Sequence, residues 1–120
     1  MKFILADRQT SARSALRLLL EQYPRMEYAG ETGEAGDLLN LTASSKPELA
    51  LVEWELLAPR PQDRIAELKA ICPLIVVVLN SSAARNTPAL AVGADYYVSK
   101  RDNPELLISF LDGITAGHKE

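Results

Sequence analysis

The chain has 120 residues, 48% of them apolar and 24% charged, with a formal net charge of −3. That length and balance suit one globular domain with a real core and exclude a chain that is disordered throughout. The acidic balance also speaks against a nucleic-acid surface spread over the domain, and the lone Cys72, with no His or Cys cluster around it, excludes an internal disulfide and a zinc site.

In chain order, short apolar runs alternate with segments of helical spacing. The first run, Phe3–Ala6, is too short for a signal peptide or a membrane span, so a cytoplasmic domain without membrane contact is expected. A helix from about Ser11 to Gln22 follows. It carries Ala12, Ala15, Leu16, Leu19 and Leu20 on one stripe, with Arg13 and Arg17 off it. Thr10 or Ser11 is the expected cap, and Tyr23-Pro24 the stop. Met26–Ala29 reads as a second strand and Glu34–Ala43 as a second helix. The glycines between them, Gly30, Gly33 and Gly36, lack the spacing and place of a dinucleotide-binding loop and read as a turn.

Leu49–Trp54 is a third strand, and Pro61, a favoured first-turn residue, opens a third helix that carries Ile65 and Leu68. Leu74–Leu79 is a fourth strand, after which Asn80-Ser81-Ser82 reads as loop. Pro88 limits the regular part of a fourth helix to about Pro88–Val92. Tyr96–Val98 is a fifth strand. A last helix is expected to be capped by Asp102 or Asn103, to start at Pro104 and to bury Leu106, Leu107, Phe110, Leu111 and Ile114. Residues 113–120 are polar and read as a frayed tail or the start of a linker. Residues 1–120 therefore read as one domain.

Strands and helices in alternation predict an α/β doubly wound fold, a flavodoxin-like three-layer sandwich with a mainly parallel sheet and a short or irregular fourth helix; strand order 2-1-3-4-5 is one of the common solutions and is the order expected here. In such sheets functional groups gather beyond the carboxyl ends of the strands. That singles out Asp7, Arg8, Glu53, Asn80 and Lys100.

At these strand ends the sequence resembles the receiver domains of bacterial response regulators in two-component signalling. Ile4-Leu5-Ala6-Asp7-Arg8 resembles their first strand, which ends in two acidic residues. Leu51-Val52-Glu53-Trp54 resembles the third, which ends in the acceptor aspartate. Gly93-Ala94-Asp95-Tyr96-Tyr97-Val98-Ser99-Lys100 resembles the stretch that leads to their lysine, with Tyr97 in place of the switch aromatic. Asp102-Asn103-Pro104-Glu105-Leu106 resembles the start of their last helix, most like regulators that carry a DNA-binding domain. The resemblance covers essentially the whole chain, and its strength lies in the order and spacing of the motifs together.

Two departures make this an atypical, degenerate pseudo-receiver. The second acidic residue of the family, a main magnesium ligand, is replaced by Arg8, whose fixed positive charge cannot bind a cation. The acceptor is replaced by Glu53, one methylene longer. That displaces the attacking oxygen by more than about an ångström, a misplacement that can cost ~100-fold in rate. No metal site and no cofactor are therefore expected.

Arg8 and Glu53 should face each other on neighbouring strand ends. Either they form a lock, in which arginine stands where magnesium would and Glu53 imitates a charged, switched-on acceptor, or they are two exposed charges of little energetic weight. Lys100 would pair with Glu53 or Asp7. Asn80 and Ser81 would hydrogen-bond Glu53 or Lys100, or cap a loop. Tyr97, Arg101 and the last helix are the candidate interaction surface. Trp54 is either a partner anchor or a packing residue.

What the resemblance implies is a phosphorylation-independent protein-interaction module with no enzymatic activity of its own. Its partner would be another protein or a second copy, and in a longer chain a DNA-binding output domain would follow. The alternatives are a working phosphoacceptor served by a histidine kinase and, less favoured, a flavodoxin-like cofactor-binding protein that holds a phosphate on the loop Arg8–Ser11.

Overall fold

The computed structural model describes residues 1–80, 93–99 and 104–117, with side chains for 1–80, 93–99 and 107–113. Its strands are β1 (Lys2–Ala6), β2 (Glu27–Thr32), β3 (Leu49–Glu53), β4 (Ile75–Asn80) and β5 (Tyr96–Ser99). Its helices are α1 (Thr10–Glu21), α2 (Ala35–Ser45), α3 (Pro61–Ile71) and α4 (Pro104–Gly117). All adjacent strands are parallel, in the order β2-β1-β3-β4-β5. This is the architecture expected from the alternation of segments. The short fourth helix expected at Pro88–Val92 lies outside the described residues.

The central strands are buried on both faces, which explains their near-continuous apolar runs. Because side chains alternate along a strand, each strand feeds two cores. Ile4, Ala6, Ala50, Val52, Val76 and Val78 pack with Leu38 of α2 and Ile65 and Leu68 of α3. Phe3, Leu5, Leu49, Leu51, Val77 and Leu79 pack with Leu20 of α1 and Leu107 and Leu111 of α4. Each fully buried large aliphatic or aromatic side chain contributes roughly 1.5–3 kcal/mol. These layers fix the strand ends against one another.

Several local expectations are corrected. Neither Thr10 nor Ser11 caps α1: the cap position is Gln9, with extended backbone and no side-chain capping bond. Thr10 lies inside the helix, and its hydroxyl instead accepts a hydrogen bond from Arg13 Nη2 at 3.2 Å. Of the α1 stripe only Leu20 is fully buried, and Ala15 stays exposed.

Strand β2 runs on to Thr32, past the expected end at Ala29, through an irregularity that pairs Phe3 with Tyr28 but Ile4 with Gly30. Its polar end hides it from an apolar-run reading. Strand β3 stops at Glu53, and Trp54 begins a 3-10 turn over Trp54–Leu56. Asn80 is the last residue of β4, paired with Ser99, not part of the following loop. Helix α3 starts at Pro61 as its sequence predicts. Helix α4 continues to Gly117, past Gly113, where the polar composition predicts fraying.

Candidate functional site

Strands β1 and β3 pair in register as far as Ala6 and Val52. The next residues, Asp7 and Glu53, therefore emerge side by side at the carboxyl edge. Among the described residues the buried polar side chains are Asp7, Thr42, Glu53, Asn80 and Ser99. Thr42 is explained locally, since its hydroxyl donates back to the Leu38 carbonyl within α2 at 2.8 Å. The other four all stand at strand ends along this edge. Buried polar groups are costly unless paired, so their gathering at one place marks it as a site.

Arg8 turns back over this edge onto Glu53. Its guanidinium donates from Nε to Oε1 and from Nη2 to Oε2, both at 3.0 Å, and its main-chain N–H donates to Oε1 at 2.9 Å. The side-chain pair is a two-pronged fork, the geometry in which arginine binds a carboxylate best. Glu55, from the 3-10 turn, adds a second carboxylate 3.8 Å from Nη2. The hydrogen bond from Glu53, then its charge, raise the Arg8 pKa above its already high ordinary value. Arg8 is thus permanently cationic.

Asp7 is fully buried, and its Oδ1 accepts the main-chain N–H of Gln9 at 2.9 Å, which tightens the turn that carries Arg8. Its own N–H donates to the Thr32 carbonyl at 3.1 Å, tying the turn to β2.

Magnesium, which the resemblance implies for functional receivers, does not fit this donor set. A guanidinium offers no lone pair and occupies the face of Glu53 nearest the β1 end. Among the described residues no group of three or more His, Cys, Asp or Glu side chains is placed to hold a metal ion.

The structure brings together Asp7, Arg8, Glu53 and Asn80. Ser81, Lys100 and Arg101 lie outside the described residues. Trp54 is half-buried against the core beneath α2 and α3, a packing position. Tyr97 and Tyr96 point to opposite faces as alternation requires. Tyr97 packs toward the core that includes Leu38 and Ile65, whereas Tyr96 stacks on Phe110 of α4 with ring centroids 4.1 Å apart. Among the described residues, the aromatic stacked on the last helix is Tyr96.

Sequence reasoning missed Ser99 and Glu55. The signals for them were the register of Ser99 with Asn80 and the position of Glu55 two residues beyond Glu53. It also missed Arg13, placed off the apolar stripe of α1 and yet largely buried.

Other features frame the site. A cavity of about 590 Å³ lies between α1 and α4, lined in part by Ser11, Ala15, Leu19, Leu79, Ser99 and Leu107. At the opposite end of the sheet, Asp95 Oδ2 accepts the Val76 N–H at 2.8 Å and meets Lys69 Nζ at 2.9 Å, so this residue of the Gly-Ala-Asp motif fastens β5 to β4 and α3. No described helix is long and apolar enough to cross a membrane.

No family model matches the chain. It is 30% identical over 113 residues to an uncharacterized transcriptional regulatory protein, YhcZ, of Bacillus subtilis (strain 168). The match covers 90% of this chain and 52% of that protein, so the chain spans about half the length of this curated relative.

Among solved structures it is similar to the isolated receiver domain of RcsB from Salmonella enterica serovar Typhimurium, solved in the presence of phosphomimetic BeF3−. There the TM-score is 0.84 and the identity 20%, covering 98% of this chain and 89% of that one. A two-component response regulator of the LuxR family from Aurantimonas sp. SI85-9A1 gives a TM-score of 0.80 at 21% identity, covering 97% of this chain and 85% of that one. With the strand order, these likenesses settle the architecture: the chain has the fold seen in response-regulator receiver domains.

Proposed function

We propose that the chain is an atypical receiver domain of two-component signalling that works as a protein-interaction module without being phosphorylated. The carrying observation is the fork between Arg8 and Glu53. A carboxylate that attacks phosphorus must have an oxygen open to the phosphoryl donor, and a bound divalent ion must neutralise the charge that develops. Glu53 instead has both oxygens engaged by Arg8, and the cation beside it is a guanidinium that cannot be exchanged for a metal without moving the turn. The pair holds the acceptor position in one charge state. The similarity to a transcriptional regulatory protein supports a cytoplasmic role in transcription regulation. There the module would meet a protein partner or a second copy and, in a longer chain, act beside a DNA-binding output domain.

The test is exposure to fluoroberyllate with magnesium, followed by Trp54 fluorescence, together with labelling by a histidine kinase or a small phosphodonor. No change in emission and no label at Glu53 are expected. A saturable change, or a phosphoryl group on Glu53, would make the chain a working phosphoacceptor.

A further inference from the structure

Arg13 has a role that neither the fold nor the resemblance assigns. It sits one turn into α1, on the side away from the apolar stripe, where a solvated arginine is the ordinary outcome. Instead its side chain is only 15% exposed. Its guanidinium serves three acceptors: Nε donates to Glu31 Oε2 at 2.7 Å, Nη1 donates to the main-chain carbonyl of Asp7, and Nη2 donates to Thr10 Oγ1. Glu31 is held from its other oxygen by the Tyr28 hydroxyl at 2.9 Å, and Tyr28 lies under Arg17 at 3.7 Å from its ring centre. Space for this arrangement comes from Gly33, where a Cβ would lie 2.7 Å from Arg13 Nη1.

We propose that Arg13 is a positioning residue for the Arg8–Glu53 pair: by binding Glu31 of β2 and the Asp7 carbonyl together, it fixes the turn from which Arg8 reaches Glu53. The proposal rests on the reading of that pair as a lock. Its physical basis is that two of the three bonds to Glu53 come from a side chain with many rotamers, while the third comes from the turn's own N–H. The turn must hold its shape for all three to form at once. The Asp7 carbonyl belongs to the peptide unit that supplies the Arg8 N–H, so an arginine pulling on that oxygen orients the very N–H that binds Glu53. A lysine has one nitrogen and cannot span these acceptors.

The experiment follows the Arg8 Nε–H resonance in the 15N-labelled chain and measures its exchange with solvent at neutral pH. Gly33→Ala is the first variant. Its new methyl meets only the far end of the flexible Arg13 side chain closely, so the chain folds while the clamp is displaced. Glu31→Gln and Arg13→Lys follow, and Asp95→Ala, at the opposite end of the sheet, controls for general loss of stability. Exchange about tenfold faster is expected in Gly33→Ala and Glu31→Gln, with the control at the wild-type rate. Wild-type exchange in both, or equal acceleration in the control, would overturn the positioning role. Should Arg13→Lys not fold, the other two variants carry the test. Free exchange of Arg8 Nε–H in the wild type would instead sink the lock itself, which separates the two failures.

Discussion

Arg8 keeps 56% of its side chain in solvent, whereas Glu53, which it grips, keeps 3%. The pair is therefore asymmetric. Deleting the carboxylate leaves a cation that water can solvate. Deleting the guanidinium leaves a buried anion with fewer donors, the costlier fault.

Stability in urea should show this order. Glu53→Ala is expected to lose about 1.5–3 kcal/mol, the range for hydrogen bonds to a charged group. Arg8→Ala should lose more than Glu53→Leu, and adding Glu53→Leu to Arg8→Ala should restore part of the loss. Strict additivity in this cycle, with changes within error, would mean that the two residues are merely neighbouring charges.

Acidic residues at both positions should confer cation binding. The double change Arg8→Asp and Glu53→Asp places carboxylates at positions 7, 8 and 53 and removes the competing guanidinium. Millimolar magnesium is expected to change Trp54 emission in this variant and to leave the parent silent. A silent double variant would show that the departure from a metal-binding edge extends beyond these two positions.

At the other end of the sheet, Asp95 and Lys69 should be unequal. Asp95→Ala strands the N–H of buried Val76 and is expected to cost about 1–3 kcal/mol. Lys69→Met removes only a partly exposed ion pair, expected to be worth under about 1 kcal/mol. Thermal or urea unfolding of the two variants decides this, and a larger loss in Lys69→Met would contradict it.

Acid and alkali should each act on the Arg13–Glu31–Tyr28 group. The hydrogen bond from Arg13 holds the Glu31 carboxyl below its ordinary value of 4.5, against the opposing effect of burial. Stability from this source is complete above that value and is lost as the pH falls through the lowered folded value. Burial, then the bond to Glu31, raise the Tyr28 hydroxyl above its ordinary 10.0. That contribution is complete below 10.0 and is lost as the pH rises through the raised value. Glu31→Gln should flatten the acid limb of the stability profile and Tyr28→Phe the alkaline limb, each leaving the slope near neutrality unchanged.

The alternation of apolar runs and helical segments was enough to specify a parallel sheet covered on both faces, because unbroken apolar runs of strand length, spaced by helices, fit little else, while the strand order was one choice among the common solutions. The meeting of Arg8 with Glu53 was legible from that choice: the order 2-1-3 makes their strand ends neighbours. Strand β2 was harder, since an edge strand ending in Glu31 and Thr32 does not look apolar. Thr10 looked like a cap because capping is the local use of its hydroxyl, but Arg13 uses it instead. Arg13 was misplaced for a related reason. Helical period tells which side of α1 faces the sheet, not that the end of a neighbouring strand, with a carboxylate, overhangs the other side.

The fork between Arg8 and Glu53 also constrains how the sequence can change. An acid at position 8 sets a like charge beside the buried Glu53, and aspartate at position 53 shortens the reach by a methylene and opens the fork, so either change alone disturbs the pair. Folding yield of each single variant is expected to fall below that of the present pair.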